Sequence, residues 1–272
     1  MKRLKIGIVG CGAIGKSLAG FIDKELYKKA ILGALCDLDI SKAISLRSSL
    51  KRSTPAVVDL DRLISQSDLV IECASGKVSY KVARKATAKS KDVLIMSIGG
   101  LIGKTKELFA LAEKNSSYIY MPSGAICGLD GLKALSLAGI KKVTLTTRKP
   151  PRALEGAEYI LKNKINLKKI KSEKVIFDGN ASSAIKNFSK NINVAVLLSI
   201  AGLGASKTRV RIITSPEYKR NSHEVIVESR AGSITTLCQN VPFVENPKTS
   251  YLAALSAMAM LKRILSSSKI GS

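Results

Sequence analysis

Near its start the chain reads LKIGIVGCGAIG (Leu4 to Gly15), a short apolar run that turns through glycines into a helical pattern. The run suits a buried parallel strand. In Gly10-Cys11-Gly12-Ala13-Ile14-Gly15 each glycine has its own task. Gly10 permits a tight turn, Gly12 lets a pyrophosphate approach the backbone, and Gly15 allows the next helix to pack closely on the strand. The start of that helix, at Ala13 and Ile14, offers N–H groups and a positive dipole end to phosphates. A second apolar run, Ala30 to Asp39, ends in acids. Asp37 there is placed to accept hydrogen bonds from ribose hydroxyls and to repel a 2′-phosphate, which favours NAD over NADP. Asp39 competes for that role, and nearby Lys42 and Arg47 leave room for NADP. The alternative reading of Asp37 is a cap for a helix starting near Ser41.

The same rhythm continues. AIGKSLAGFIDKEL has helical spacing, with Ile14, Leu18, Phe21 or Ile22, and Leu26 on one face. DLVIECAS (68–75), DVLIMSIGG (92–100) and SYIYMPSG (117–124) read as further strands, the first two separated by the helical KVSYKVARKATAK. Strands alternating with helices predict a doubly wound parallel sheet of Rossmann type. After Pro122 the pattern changes. KKVTLTTRKPP reads as a strand closed by Pro150 and Pro151, and NINVAVLLSIAGLG as a buried helix. TRVRIITSP and SHEVIVESRAGSITTLCQN read as adjacent strands with a turn at Ala231-Gly232. This region predicts an α+β insertion with a mainly antiparallel sheet. The last block, NPKTSYLAALSAMAMLKRIL, reads as a helix, with Asn246 or Thr249/Ser250 as its cap. The expected division is a dinucleotide-binding domain over 1–121 plus 246–272, and a substrate domain over 122–245.

The chain has 272 residues, enough for one large domain or two modest ones. Forty-five basic residues against 20 acidic ones give a formal charge of +25, which favours anionic partners. The lysines are spread along the whole chain, aromatics make up only 4%, and no recognisable nucleic-acid-binding motif occurs. A basic solvated surface is therefore expected rather than nucleic-acid binding. No apolar run reaches the length of a membrane helix, and the glycines at 10, 12 and 15 interrupt what would otherwise resemble an export signal. Five scattered cysteines without a C-x-x-C pair suit free thiols in a reducing cytoplasm, and no metal site is expected.

The chain holds one histidine, His223 in SPEYKRNSHEVIV. Its ordinary pKa near neutrality suits proton transfer, and a strand residue without chemistry is the alternative. The segment MPSGAICGLDGL (121–132) is rich in small residues, as a backbone passing close to a flat ligand requires, and equally as a simple crossover loop would be.

PSGAICGLDGL, TTRKPP, NINVAVLLSIAG, SPEYKRNSHEV and NVPFVENPKTSYLAALSAMAML, in this order and spacing, together resemble the L-aspartate dehydrogenase family over nearly the whole chain. The resemblance implies a Rossmann domain that holds NAD(P), and a second domain that supplies the substrate site and a homodimer surface. It implies oxidation of the amino acid L-aspartate to iminoaspartate, which yields oxaloacetate and ammonia or feeds nicotinamide cofactor synthesis. It assigns catalysis to His223 and cofactor contacts to Asn193 and Ala125, with Cys127 as the alternative to Ala125. The family's Phe-Pro before the N-x-N turn is Phe188-Ser189 here. A substrate with two carboxylates calls for cationic anchors, for which Arg148, Lys149 and Lys248 stand ready. The rival readings are another Rossmann oxidoreductase, such as a homoserine dehydrogenase, and a noncatalytic nucleotide- or nucleic-acid-binding protein. A dihydrodipicolinate reductase would need an H-H-x-x-K pattern, which one histidine does not supply.

Overall fold

The computed structural model describes residues 3–188, 193–243 and 246–270, with the side chains of 246–248 outside that description. The chain divides into two compact units. One runs to Pro122 and resumes over Ala254–Ile270, and the other spans Ser123–Ala253.

The first unit alternates strands and helices as predicted. β1 (Leu4–Val9) leads to α1 (Ala13–Phe21), β2 (Ala30–Cys36) to α2 (Ile40–Ser49), and β3 (Ala56–Val57) to α3 (Leu60–Gln66). β4 (Leu69–Glu72), α4 (Gly76–Ala88), β5 (Asp92–Ile95), α5 (Thr105–Lys114) and β6 (Ile119–Tyr120) follow. Among the described residues the strands form one six-stranded sheet ordered β3-β2-β1-β4-β5-β6. Every pairing in it is parallel. Ile6, Ile8, Val70, Ile71, Val93 and Leu94 are fully buried, which is why these strands read as continuous apolar runs.

The helical run after the glycines is not uniform. α1 ends at Phe21 and one π turn covers Ile22–Leu26. The wider turn buries Ile22 rather than Phe21, and it also buries Asp23. The Asp23 carboxylate accepts from the backbone N–H groups of Lys51, Arg52 and Ser53, which holds its pKa below the usual carboxylate value despite burial. One acid thus satisfies three amides beyond the end of α2.

In the second unit, α6 (Leu129–Leu137) precedes β7 (Ile140–Lys149), α7 (Glu158–Lys162), β8 (Lys174–Asn180), α8 (Ala181–Asn187) and α9 (Asn193–Ala201). Then come β9 (Thr208–Thr214), β10 (Asn221–Ser229), β11 (Gly232–Asn240), β12 (Pro242–Phe243) and β13 (Asn246–Ser250). The main sheet has the order β11-β10-β7-β9-β8. Its pairings are antiparallel except β7 with β9, as the prediction of a mainly antiparallel sheet requires. β8 was not legible: its apolar core, Val175 to Phe177, is three residues long and runs into Asp178-Gly179-Asn180, a turn signal. It forms on the sheet edge by pairing with β9.

The final helix, α10 (Tyr251–Ile264), begins where the Thr249/Ser250 alternative for its cap places it, not at Asn246. Residues 246–250 pair with β12 as β13, so Asn246 is a strand residue and Ser250 directly precedes the helix. Lys248 accordingly lies in a strand instead of opening the helix. Its side chain, like Ser189 of the Phe-Ser departure, lies outside the described residues.

Candidate active site

The glycine turn is built as its spacing predicts. Gly10 has φ +98°, a left-handed backbone that favours glycine, and a Cβ there would lie 2.6 Å from the Ala74 nitrogen. A Cβ on Gly15 would lie 2.0 Å from the Gly10 carbonyl oxygen. Gly12, which caps α1, is exposed, and a Cβ there would meet nothing within 4 Å. Two glycines therefore serve the fold, and the third leaves open space beside the first N–H groups of α1 at Ala13, Ile14 and Gly15. This is the environment a pyrophosphate requires. Gly12→Ala is expected to leave the unfolding midpoint within a degree or two and to weaken dinucleotide binding at least about tenfold, since only a ligand would meet the added methyl. Gly15→Ala is expected to cost about 1–3 kcal/mol by overpacking. Thermal unfolding and calorimetric titration with NAD read both. A large stability loss at Gly12 would break the distinction.

Asp37 and Asp39 separate cleanly. Asp39 caps α2, accepting from the Ser41 backbone N–H at 3.1 Å, and Lys42 lies 3.5 Å from its carboxylate. Asp37 reaches the other way. Its Oδ2 accepts from the Cys11 N–H at 2.6 Å inside the glycine turn, and its Oδ1 accepts from the Asp39 N–H at 2.9 Å. The helix-cap alternative thus belongs to Asp39, and Asp37 is fixed against the turn.

A further acid went unread in the sequence. Glu72, at the end of β4, is fully buried. It accepts from the N–H groups of Ala74 (2.9 Å), Ser75 (3.1 Å) and Ser97 (3.0 Å). Burial pushes its pKa up while those donors oppose the shift. It ties the loops after β4 and β5 together, and the Ala74 backbone lies against Gly10. Its only signal was an acid closing the apolar run LVIE.

In the second unit, β7 and β10 pair with Thr147 opposite His223. Thr147 Oγ1 lies 3.0 Å from His223 Nδ1, and both residues are buried. Lys149, two residues beyond Thr147 on the same strand, projects from the same face and is only 5% exposed. It lines a small pocket with Leu145, Thr147, Leu154, Phe188 and Ile212. Burial lowers the Lys149 pKa to about 8. Burial and then the Lys149 charge push that of His223 down to about 3. The near-neutral histidine expected from the sequence is corrected: in this state the ring is neutral throughout the physiological range, because a dry site and a neighbouring cation both oppose a second positive charge.

Arg148 is not brought to this group. As the neighbour of Thr147 and Lys149 in a strand it projects from the opposite face, where it pairs with Glu224 at 2.9 Å. Asn193 is the first residue of α9 and exposed. Ala125 is buried, and its carbonyl accepts from Asn240 Nδ2 at 3.0 Å. Cys127 is exposed in the same segment. Thr147 and Asn240, which hold His223 and Ala125 in place, were not singled out in the sequence.

Among the described residues no cluster of three metal-ligating side chains occurs, and no helix is long and apolar enough to cross a membrane.

Residues 10–122 match the family described as homoserine dehydrogenase, NAD binding domain, and residues 130–264 match aspartate dehydrogenase, C-terminal. The chain is 46% identical to the L-aspartate dehydrogenase of Methanosarcina mazei, with 98% of this chain and 99% of that protein covered. It is 42% identical to that of Methanocaldococcus jannaschii at the same coverage. The aspartate dehydrogenase structure from Thermotoga maritima superposes with a TM-score of 0.75 at 24% identity, covering 99% of this chain and all of that one, a likeness of fold. With nearly end-to-end coverage at this identity, the chain belongs to the L-aspartate dehydrogenase family.

Proposed function

We propose that this protein is an NAD-dependent L-aspartate dehydrogenase. It oxidises L-aspartate at Cα to iminoaspartate, which hydrolyses to oxaloacetate and ammonia or passes on to nicotinamide-ring synthesis. The observation that carries the reading is a buried lysine beside a buried neutral histidine on one face of one sheet.

Lys149 places a buried positive charge on this face, for which a substrate carboxylate is a fitting counter-charge. His223 takes the proton. The Thr147 Oγ1 contact fixes the ring's orientation, and in the tautomer that carries its proton on Nδ1 the ring donates to Thr147 and Nε2 is left as the acceptor. A substrate carboxylate beside Lys149 offsets the part of the His223 depression that the Lys149 charge adds to burial, so substrate binding raises the proton affinity of the base. The nicotinamide, when bound, accepts the hydride. Gly10, Gly12 and Gly15, with Ala13 and Ile14, fit its pyrophosphate, and Asp37 fits the adenosine ribose. Asp37 is held by two N–H donors and retains unused lone pairs for hydroxyl donors, which supports NAD over NADP. Ala125 and Asn193 complete the proposed cofactor contacts.

The test is direct. Purified protein with L-aspartate and NAD should produce the absorbance of reduced nicotinamide, more efficiently than with NADP. Reduction of NAD by homoserine but not aspartate would move the assignment to the homoserine dehydrogenases, and no reduction with either amino acid would sink it.

A further inference from the structure

Two cysteines that are remote in sequence meet in the second unit. Cys127 lies in the segment that carries Ala125, and Cys238 lies in β11. The Cys238 thiol donates to Cys127 Sγ at 3.4 Å, across 111 positions of sequence. Cys127 is exposed and Cys238 partly so, and neither is in a disulfide. The approach is set by the backbone rather than by the thiols alone. Thr236 Oγ1 donates to the Cys127 carbonyl at 3.4 Å, and Asn240 Nδ2 donates to the Ala125 carbonyl. These two contacts flank Cys238 and hold the 125–127 segment along β11. Cys238 also pairs in register with His223, so the thiol lies directly beside the proposed base on the next strand.

We infer that Cys127 and Cys238 form a reversible redox site, a dithiol that a low-molecular-weight disulfide oxidises to an intramolecular disulfide, pinning the Ala125 segment to β11 and slowing turnover. The chemistry balances. The Cys127 thiolate attacks one sulfur of the small disulfide, forming a mixed disulfide and expelling one thiolate. Cys238 then loses its proton to solvent and attacks Cys127 Sγ, expelling the second thiolate. Two protein thiols are oxidised and one small disulfide is reduced to two thiols. The order follows accessibility: burial and the contact with Cys127 push the Cys238 thiol up to about 11, so the exposed Cys127 is the first to react. The remaining cysteines, Cys11, Cys36 and Cys73, belong to the first unit, where burial raises all three thiols.

The turnover arm rests on the proposed aspartate dehydrogenase reading, whereas the bond-forming arm does not. The full-length protein is treated with oxidised glutathione, alkylated, digested and mapped by mass spectrometry, beside Cys127→Ser and Cys238→Ser. The expected result is one peptide pair linked through 127 and 238, lost from each variant and reversed by dithiothreitol. Aspartate turnover of the oxidised wild type should fall at least about fivefold relative to its reduced form, and that oxidised-to-reduced ratio should return to near one in Cys238→Ser. Linkage through other cysteines, or stable glutathione adducts without the 127–238 link, overturns the site. A 127–238 link with an unchanged turnover ratio overturns its control of activity. If the reduced protein turns over no aspartate, the functional reading has failed, and the peptide map alone decides the redox site.

Discussion

His223→Asn is expected to lower kcat for aspartate by about 10²- to 10⁴-fold, the usual worth of a positioned proton-transfer group, with the fold retained. Asparagine preserves a polar atom toward Thr147 but accepts no proton. The same variant should change the pH dependence of stability. A histidine whose pKa falls from 6.5 to about 3 on folding is neutral in both states above pH 6.5. Below that the unfolded chain takes up a proton that the folded site refuses, so stability falls as pH drops from 6.5 towards 3. At 1.36 kcal/mol per pKa unit the loss approaches roughly 5 kcal/mol. Denaturant titrations of wild type and variant across this window should therefore diverge, the wild type losing more. Parallel curves would show that His223 is not buried in its neutral form. Unchanged kcat would remove it from the chemistry.

Lys149→Met should move stability and activity in opposite directions. At neutral pH the buried ammonium is held charged although folding has lowered its pKa from 10.5 to about 8. The proton taken up more strongly by the unfolded chain costs the native state about 3 kcal/mol below pH 8. Methionine fills the same apolar lining without charge, so the unfolding midpoint should rise by several degrees. Losing the proposed carboxylate anchor should lower kcat/KM for aspartate by about 10²- to 10³-fold, mostly through KM. The wild-type kcat/KM should also fall above about pH 8 as Lys149 deprotonates, a limb that the variant lacks. A variant that is less stable and binds aspartate normally would assign Lys149 to the scaffold.

How far the sequence could be read depended on range. Five of the six parallel strands and the glycine turn were legible because they rest on contiguous patterns: apolar runs, glycine spacing, helical periodicity; β3, only two residues long, carries no such pattern. The β10–β11 hairpin was legible for the same reason. Arg148 and Lys149 show a nearer miss. Both were candidate anchors, yet the strand period of two places neighbours on opposite faces, so only one could share a face with His223. Applying that period to TTRK would have selected Lys149 and drawn attention to Thr147. The depressed pKa of His223, the Glu72 tie and the meeting of Cys127 with Cys238 depend on contacts between distant segments, and no local pattern reports them. Of the two caps left open for α10, Asn246 is drawn into β13 by pairing with β12, and the helix starts after Ser250.

The ribose contact proposed for the Asp37 carboxylate has a consequence for how coenzyme preference can evolve. Both of its oxygens already receive backbone N–H groups, from Cys11 and Asp39, so the side chain is ordered before any ligand arrives. In the proposed contact that ordering favours a tight fit to a ribose diol, and it also makes the residue hard to exchange. An uncharged or basic replacement that welcomes a 2′-phosphate would strand two amides at the edge of the glycine turn. A switch of coenzyme in this chain is therefore a coupled change: new acceptors for those amides must arrive with, or before, the new charge.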